Sequence, residues 1–116
     1  MVGVIFEVWP ADGHRDEYLD IAARLNADLQ KFEGFISIER FQSLTDPRKL
    51  LSLQFWRDEE CVARWRNFDP HRSAQVHGRD SVFDEYRLRI VTVLRDYDMY
   101  EHREQAPADS RTWHNG

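Results

Sequence analysis

His71 and Gln75 stand four residues apart behind Asp69 and Pro70, a capping carboxylate followed by a proline that suits a first helical turn. On the short helix so started, over 69–78, the two side chains share one face. There an imidazole and an amide would line a pocket mouth and hydrogen-bond an oxygen of a ligand, exposed polar decoration being the plain alternative. His77 lies six positions beyond His71, roughly 240° around a helix, so the two do not form the i,i+4 pair that a metal takes. No metal site is expected. Cys61 falls at the start of another helix, where the dipole lowers a thiol pKa, although no base is placed beside it. Arg40 interrupts an alternating apolar strand, and a guanidinium buried there needs either a structural carboxylate or an anionic ligand.

Other chemistries lack their signatures. There is no Gly-x-Ser-x-Gly nucleophile turn, and Gly3, Gly13, Gly34, Gly78 and Gly116 never fall in the spacing of a phosphate-cradling loop, which removes hydrolase and nucleotide-enzyme readings. Glu59-Glu60 and Asp84-Glu85 are adjacent carboxylates whose side chains diverge on a helix, so neither pair shares a proton. With 16 basic residues against 21 acidic ones, the net charge of −5 offers a phosphate backbone no positive field, and nucleic acid is not an expected partner. Cys61 is the sole cysteine, which excludes an internal disulfide and four-cysteine zinc sites and suits a reducing, cytoplasmic setting. No apolar run approaches the roughly 20 residues of a membrane span. The N-terminus enters an alternating segment at once rather than a basic and then apolar leader, so no membrane association is expected.

Periodicity places the elements that must carry these groups. Residues 2–9 alternate, with Val2, Val4, Phe6 and Val8 on one face, and read as a strand. After a break at 10–13, Tyr18, Ile21, Leu25, Leu29 and Phe32 follow one helical stripe, closed by Gly34, which suits a position of positive φ. Residues 36–41 and 50–56 alternate on either side of the Thr-Asp-Pro-Arg turn at 45–48 and make a hairpin. Asp58 caps a second helix bearing Cys61, Val62 and Trp65 on one face, Gly78 stops the short third helix, and residues 86–97 form the last strand. The 116 residues make one domain over 1–100 and a polar tail over 101–116, unstructured or laid over a neighbour, that contains Trp113 and His114.

The order β-α-β-β-α-(α)-β is that of an α+β, ferredoxin-like sheet with its helices on one face. Val4, Phe6, Ile36, Ile38, Leu51, Leu53, Phe55, Leu88 and Ile90 form the apolar set expected under the helices. The opposite set is Ile5, Trp9, Phe35, Phe41, Trp56, Val91 and Val93 among Glu7, Glu39, Ser52 and Gln54. That face is too apolar to meet water as one patch, so a second sheet is expected to cover it.

The stretches "FEGFISIERF" (32–41), "LLSLQFW" (50–56), "ARWRNFDPHRSAQ" (63–75) and "YRLRIVTVLRDY" (86–97) resemble the antibiotic biosynthesis monooxygenase family, over roughly residues 2–99. The resemblance implies a homodimer in which two ferredoxin-like sheets close into a dimeric α+β barrel. It also implies one of two activities: oxygenation of aromatic or quinol-like molecules by molecular oxygen with no bound metal or flavin, or heme degradation. Trp65 matches the helix tryptophan of both branches. Cys61 stands where the aromatic oxygenases carry an asparagine, while Phe6 and Gln75 stand where the heme-degrading branch carries a strand asparagine and its axial histidine.

The expected function is therefore a small monooxygenase without a cofactor, acting on a hydrophobic aromatic compound held between helices and sheet. Trp65 would stack on the compound, His71 or Gln75 would hydrogen-bond its oxygen, and Phe6, Arg40, Phe55 and Cys61 would line the site. Packing alone would also account for Trp65. The alternatives are a heme-binding, heme-degrading enzyme and a non-catalytic dimer that sequesters a small ligand.

Overall fold

The alternation of residues 2–10 becomes β1 (Val2–Pro10), and the helical stripe behind it becomes α1 (Arg15–Gln30) in a computed structural model that describes residues 1–110. Then come β2 (Phe35–Gln42), β3 (Leu50–Trp56), α2 (Glu59–Arg66), α3 (Asp69–His77), a π-helical turn at Gly78–Val82 and β4 (Phe83–Thr92). The strands form one antiparallel sheet in the order β2-β3-β1-β4, which is the ferredoxin-like arrangement expected. Trp113 and His114 lie outside the described residues. No helix among the described residues is long and apolar enough to cross a membrane.

The register decides which residues meet the helices, because directly opposed residues of antiparallel strands share a face. Val2, Val4, Phe6 and Val8 oppose Trp56, Gln54, Ser52 and Leu50, and Val4, Val8, Leu50 and Trp56 are core residues. Trp56 is fully buried, and its indole N–H donates to Gln54 Oε1 at 2.8 Å. Leu51, Leu53 and Phe55 therefore face the open side of the sheet, the reverse of the expectation. β3 is apolar on both faces, so alternation alone does not orient it, and the larger aromatic takes the core. In β2 a bulge between Phe35 and Ser37 brings both Phe35 and Ile38 under the helices and leaves Ile36 51% exposed. The open face accordingly presents Ile5, Trp9, Phe41, Leu51, Leu53, Phe55 and Val91, with Glu7 in ion pairs to Lys49 and Arg89 near its centre.

β4 starts before Tyr86 and stops well before Tyr97 because β1, its neighbour, begins at Val2. Beyond Thr92 a single bond from Val93 N–H to the Met1 carbonyl, 3.1 Å, continues the ladder. Gly34 has the expected positive φ of 83°, and a Cβ there would lie 2.4 Å from Cys61 Sγ. α3 ends at His77 with Gly78 as its C-cap, as expected, but not through a left-handed glycine. Its φ is −58°, the chain runs on into the π turn, and its missing side chain admits the Phe83 ring, which a Cβ would meet at 2.6 Å. The described part of the tail is not structureless: the backbone N–H of Glu101 donates to Asp98 Oδ1 at 2.5 Å, Arg103–Gln105 forms a 3-10 turn, and Ala106 is buried.

Candidate active site

Asp58 caps α2 by accepting the Cys61 N–H at 2.9 Å, and that bond, helped by Arg57, holds its carboxyl at a pKa of about 2. The helix so fixed points Cys61, Val62 and Trp65 into the core. At its end Asn67 donates to the Ala63 carbonyl at 2.8 Å, and the chain turns so that Phe68 stacks on Trp65 at 5.5 Å and 25°. The first turn of α3 then brings the His71 ring 4.9 Å from that of Trp65, tilted by 35°. Phe32, from the end of the α1 stripe, meets Trp65 edge-on at 5.1 Å.

Trp65 is only 4% exposed, yet its Nε1 has no hydrogen-bond partner among the described residues, and neither has the buried Nδ1 of His71. Burial pushes the imidazole below its ordinary pKa against the opposing influence of the Arg66 carbonyl, so the ring is neutral at pH 7. Leaving such a group unpaired costs roughly 1–3 kcal/mol each. Two of them side by side in an aromatic cluster are the feature of this fold that packing does not explain.

An apolar strip runs along β4 on the helix side of the sheet. Val4, packed in the same cluster as Trp65, opposes Ile90 across the sheet, while Phe6 opposes Leu88 and Val8 opposes Tyr86. These β4 side chains sit on the helix side but are not covered by helices as expected: Tyr86, Leu88 and Ile90 are 44%, 46% and 41% exposed. Phe6 itself meets the rings of Tyr18, Phe83 and Tyr86.

Of the residues expected to form the site, the structure brings Trp65 and His71 together, whereas Phe6 packs in the second core cluster with Tyr18, Phe83 and Tyr86. Gln75 is exposed, because the inner stripe of α3 runs through His71, Ala74 and Gly78 and the amide falls outside it. Phe55 is on the opposite face of the sheet, a consequence of the β3 orientation. Arg40 opposes Ser52 on edge strand β2, where its guanidinium reaches water and makes no ion pair among the described residues, so the expected buried charge does not arise. Cys61 is fully buried under Gly34, and burial raises its thiol pKa where the helix dipole alone would have lowered it. It is a packing residue. His77 is engaged elsewhere, with Nε2 on Glu17 at 2.7 Å and Nδ1 near Ser81 Oγ at 3.3 Å, and the other Glu17 oxygen meets His14 at 2.8 Å. Among the described residues no three His, Cys, Asp or Glu side chains converge as a metal cluster.

Sequence reasoning missed Phe68 and Tyr86. Phe68 carried a usable signal, an aromatic residue directly before the Asp-Pro helix start, which staples the incoming chain to the preceding helix.

A profile of the antibiotic biosynthesis monooxygenase family matches residues 1–76. The jasmonate monooxygenase ABM of Pyricularia oryzae is 40% identical over 111 residues, covering 96% of this chain and 52% of that protein, so the chain spans about half the length of this curated relative. Among solved structures, Rv0793 of Mycobacterium tuberculosis superposes with a TM-score of 0.75 at 12% identity, covering 84% of this chain and 98% of that one. PA3566 of Pseudomonas aeruginosa gives 0.69 at 17% identity, covering 80% and 93%. These two likenesses concern the fold, whereas the profile match takes in the Trp65 helix and the first turns of α3, and on that match the chain belongs to the antibiotic biosynthesis monooxygenase family.

Proposed function

We propose that this chain is a monooxygenase that binds a hydrophobic, aromatic or quinol-like molecule on the helix side of the sheet and lets it react with molecular oxygen, using no bound metal or flavin. The observation that carries the reading is the Trp65–His71 ring pair, whose two buried polar atoms have no partner among the described residues, on the same side of the sheet as the half-exposed Leu88 and Ile90. An apolar wall with one or two convergent polar atoms is what a small aromatic ligand requires. Oxidation of an activated CH2 to a carbonyl by one O2 releases one water and closes its own electron balance, so no external reductant is called for. The kinship with a relative named a jasmonate monooxygenase supports oxygen insertion into a small hydrophobic molecule.

Heme fits the residues poorly. Gln75 is exposed and His77 has both ring nitrogens engaged, so neither supplies an axial ligand, and His71 is the one imidazole left in the region. The reading includes a homodimer closed through the open sheet face, which gathers Ile5, Trp9, Phe41, Leu51, Leu53, Phe55 and Val91 on one side, and work in the cytoplasm. Oxygen uptake with an anthrone, a dihydroxynaphthalene and jasmonate as parallel substrates tests the activity. Consumption with any of them that is lost in Trp65→Ala supports it. Heme loss with a reductant, or saturable binding with no oxygen uptake, replaces it with one of the alternatives.

A further inference from the structure

A second group of reactive side chains lies at the end of α3 far from His71. Glu17, in the first turn of α1, has its carboxylate oxygens on two imidazoles, Oε2 on His14 Nδ1 at 2.8 Å and Oε1 on His77 Nε2 at 2.7 Å. The bond from His77, and then that from His14, hold the Glu17 carboxyl below the ordinary carboxylate range. An ionised carboxylate only accepts, so each ring nitrogen facing it is the donor. With the hydrogen on Nε2, neutral His77 keeps a lone pair on Nδ1. Ser81 Oγ lies 3.3 Å from that nitrogen and 3.0 Å from the His77 carbonyl, and the hydroxyl has one hydrogen for these two acceptors. α1 thus supplies a carboxylate, α3 an imidazole and the π turn a hydroxyl, in the order that activates a serine oxygen, although no Gly-x-Ser-x-Gly spacing announces it. Alongside, an open groove of about 430 Å³ is lined by Arg72, Ser73, Val76 and His77. The bond from Arg72 to Asn67 Oδ1 leaves other guanidinium N–H groups to an anion.

We propose that Ser81 is an acyl acceptor and that the chain hydrolyses small esters carrying a carboxylate, with Val76 against the apolar part of the ester and Arg72 on its carboxylate. Ser81 Oγ adds to the ester carbonyl while His77 Nδ1 takes the hydroxyl proton, so the Oγ–C bond forms and the O–H bond breaks. The tetrahedral carbon then expels the alcohol oxygen, and Nδ1–H returns the proton to it as that C–O bond breaks. Water repeats the sequence on the acyl-serine: it gives a proton to Nδ1 and its oxygen to the carbonyl carbon, and Ser81 leaves as the free hydroxyl. Nothing is oxidised or reduced. Glu17 touches no reacting atom and is a positioning residue: it keeps the hydrogen on Nε2 and faces the positive charge that His77 gains. His14 holds the other Glu17 oxygen and fixes the carboxylate in turn. Ser81 and His77 are exposed, so ester and water reach them with no opening of the fold.

Release of 4-nitrophenol from 4-nitrophenyl hemisuccinate and from 4-nitrophenyl acetate is measured on the full chain, alongside labelling by a 4-nitrophenyl alkylphosphonate with the modified residue mapped by mass. General-base assistance is worth about 10²–10⁴-fold, so Ser81→Ala and His77→Gln should each slow hydrolysis by about tenfold or more. The double variant should be no slower than either single one, because groups that act as a unit are not additive. Glu17→Gln should lower kcat with KM unchanged. The hemisuccinate should be favoured by about threefold, the scale of an exposed ion pair, and Arg72→Leu should remove that preference. The phosphonate should label Ser81. A label on another residue, or wild-type hydrolysis no faster than that of Ser81→Ala, overturns the proposal. Equal rates with the two esters overturn the part given to Arg72. Labelling of the wild type decides the matter even if a variant does not fold, and since neither readout involves oxygen, failure here leaves the monooxygenase reading in place.

Discussion

Replacing Trp65 by phenylalanine keeps a six-membered ring for Phe68 and His71 to stack on and removes the indole N–H together with its five-membered ring. Losing about 40 Å² of buried apolar surface costs about 1 kcal/mol at 25 cal/mol/Å². A residual cavity of about 40 Å³ adds about 1 kcal/mol more. Against this, the wild type carries a buried N–H without a partner, a burden of roughly 1–3 kcal/mol that the variant sheds. The opposing effects leave Trp65→Phe within about 1 kcal/mol of wild type, whereas Trp65→Ala, which deletes the whole stack, costs about 3–5 kcal/mol. Urea unfolding of ligand-free protein at one fixed concentration measures both, with equal m-values confirming that the comparison is sound. A loss beyond about 3 kcal/mol in Trp65→Phe would mean that the N–H is hydrogen-bonded in the folded protein and would refute the ring-pair argument. Near-neutral stability together with lost oxygen uptake is the expected outcome.

Leu53→Asp places an unpaired carboxylate on the open sheet face, so light scattering should fall from twice the 13.9 kDa chain mass to that mass itself, and an unchanged dimer would mean that another surface joins the subunits. Gly78→Ala drives a Cβ to within 2.6 Å of the Phe83 ring, which Phe6, Tyr18 and Tyr86 hold in place. Overpacking of about 1–3 kcal/mol should lower Tm by roughly 4–15 °C, and an unchanged melt would show that Phe83 swings away. Because burial holds the His71 pKa below its unfolded value, the unfolded chain binds the extra proton first. His71 should therefore cost stability progressively as pH falls below about 6.5, and His71→Leu should melt with a shallower dependence between pH 8 and 5. For Asp58, depressed to about 2, the sign is the same although the cause differs, the charged form being the one stabilised: its cap is complete above the unfolded carboxylate range near 3.9 and is lost as pH falls towards 2, so Asp58→Ala and wild type should converge in acid.

The fold was legible because its signals were local and independent. The Asp58 cap, the Asp69-Pro70 start, the positive φ of Gly34 and the stripe of Tyr18, Leu25 and Leu29 each depend on a few neighbouring residues. The orientation of β3 was not legible, since Leu51-Leu53-Phe55 and Leu50-Trp56 are both apolar sets. What chooses between them is whether Trp56 finds Phe32 and Phe35 across the core, contacts that join three separate elements. Phe55 was lost from the site by that one choice. Gln75 was lost for a related reason: an i,i+4 spacing defines a shared face, but which edge of it turns inward depends on where α3 docks. Trp65 and His71 were visible as residue types at a helix spacing, but their unpartnered atoms were not, because a donor or acceptor counts as unsatisfied only after every neighbour has been placed. The local rules place a packed tryptophan with a hydrogen-bonded N–H and a histidine with both nitrogens paired. The fold breaks both rules at one point, and a break that the surrounding core tolerates is the physical reason to seek the chemistry there.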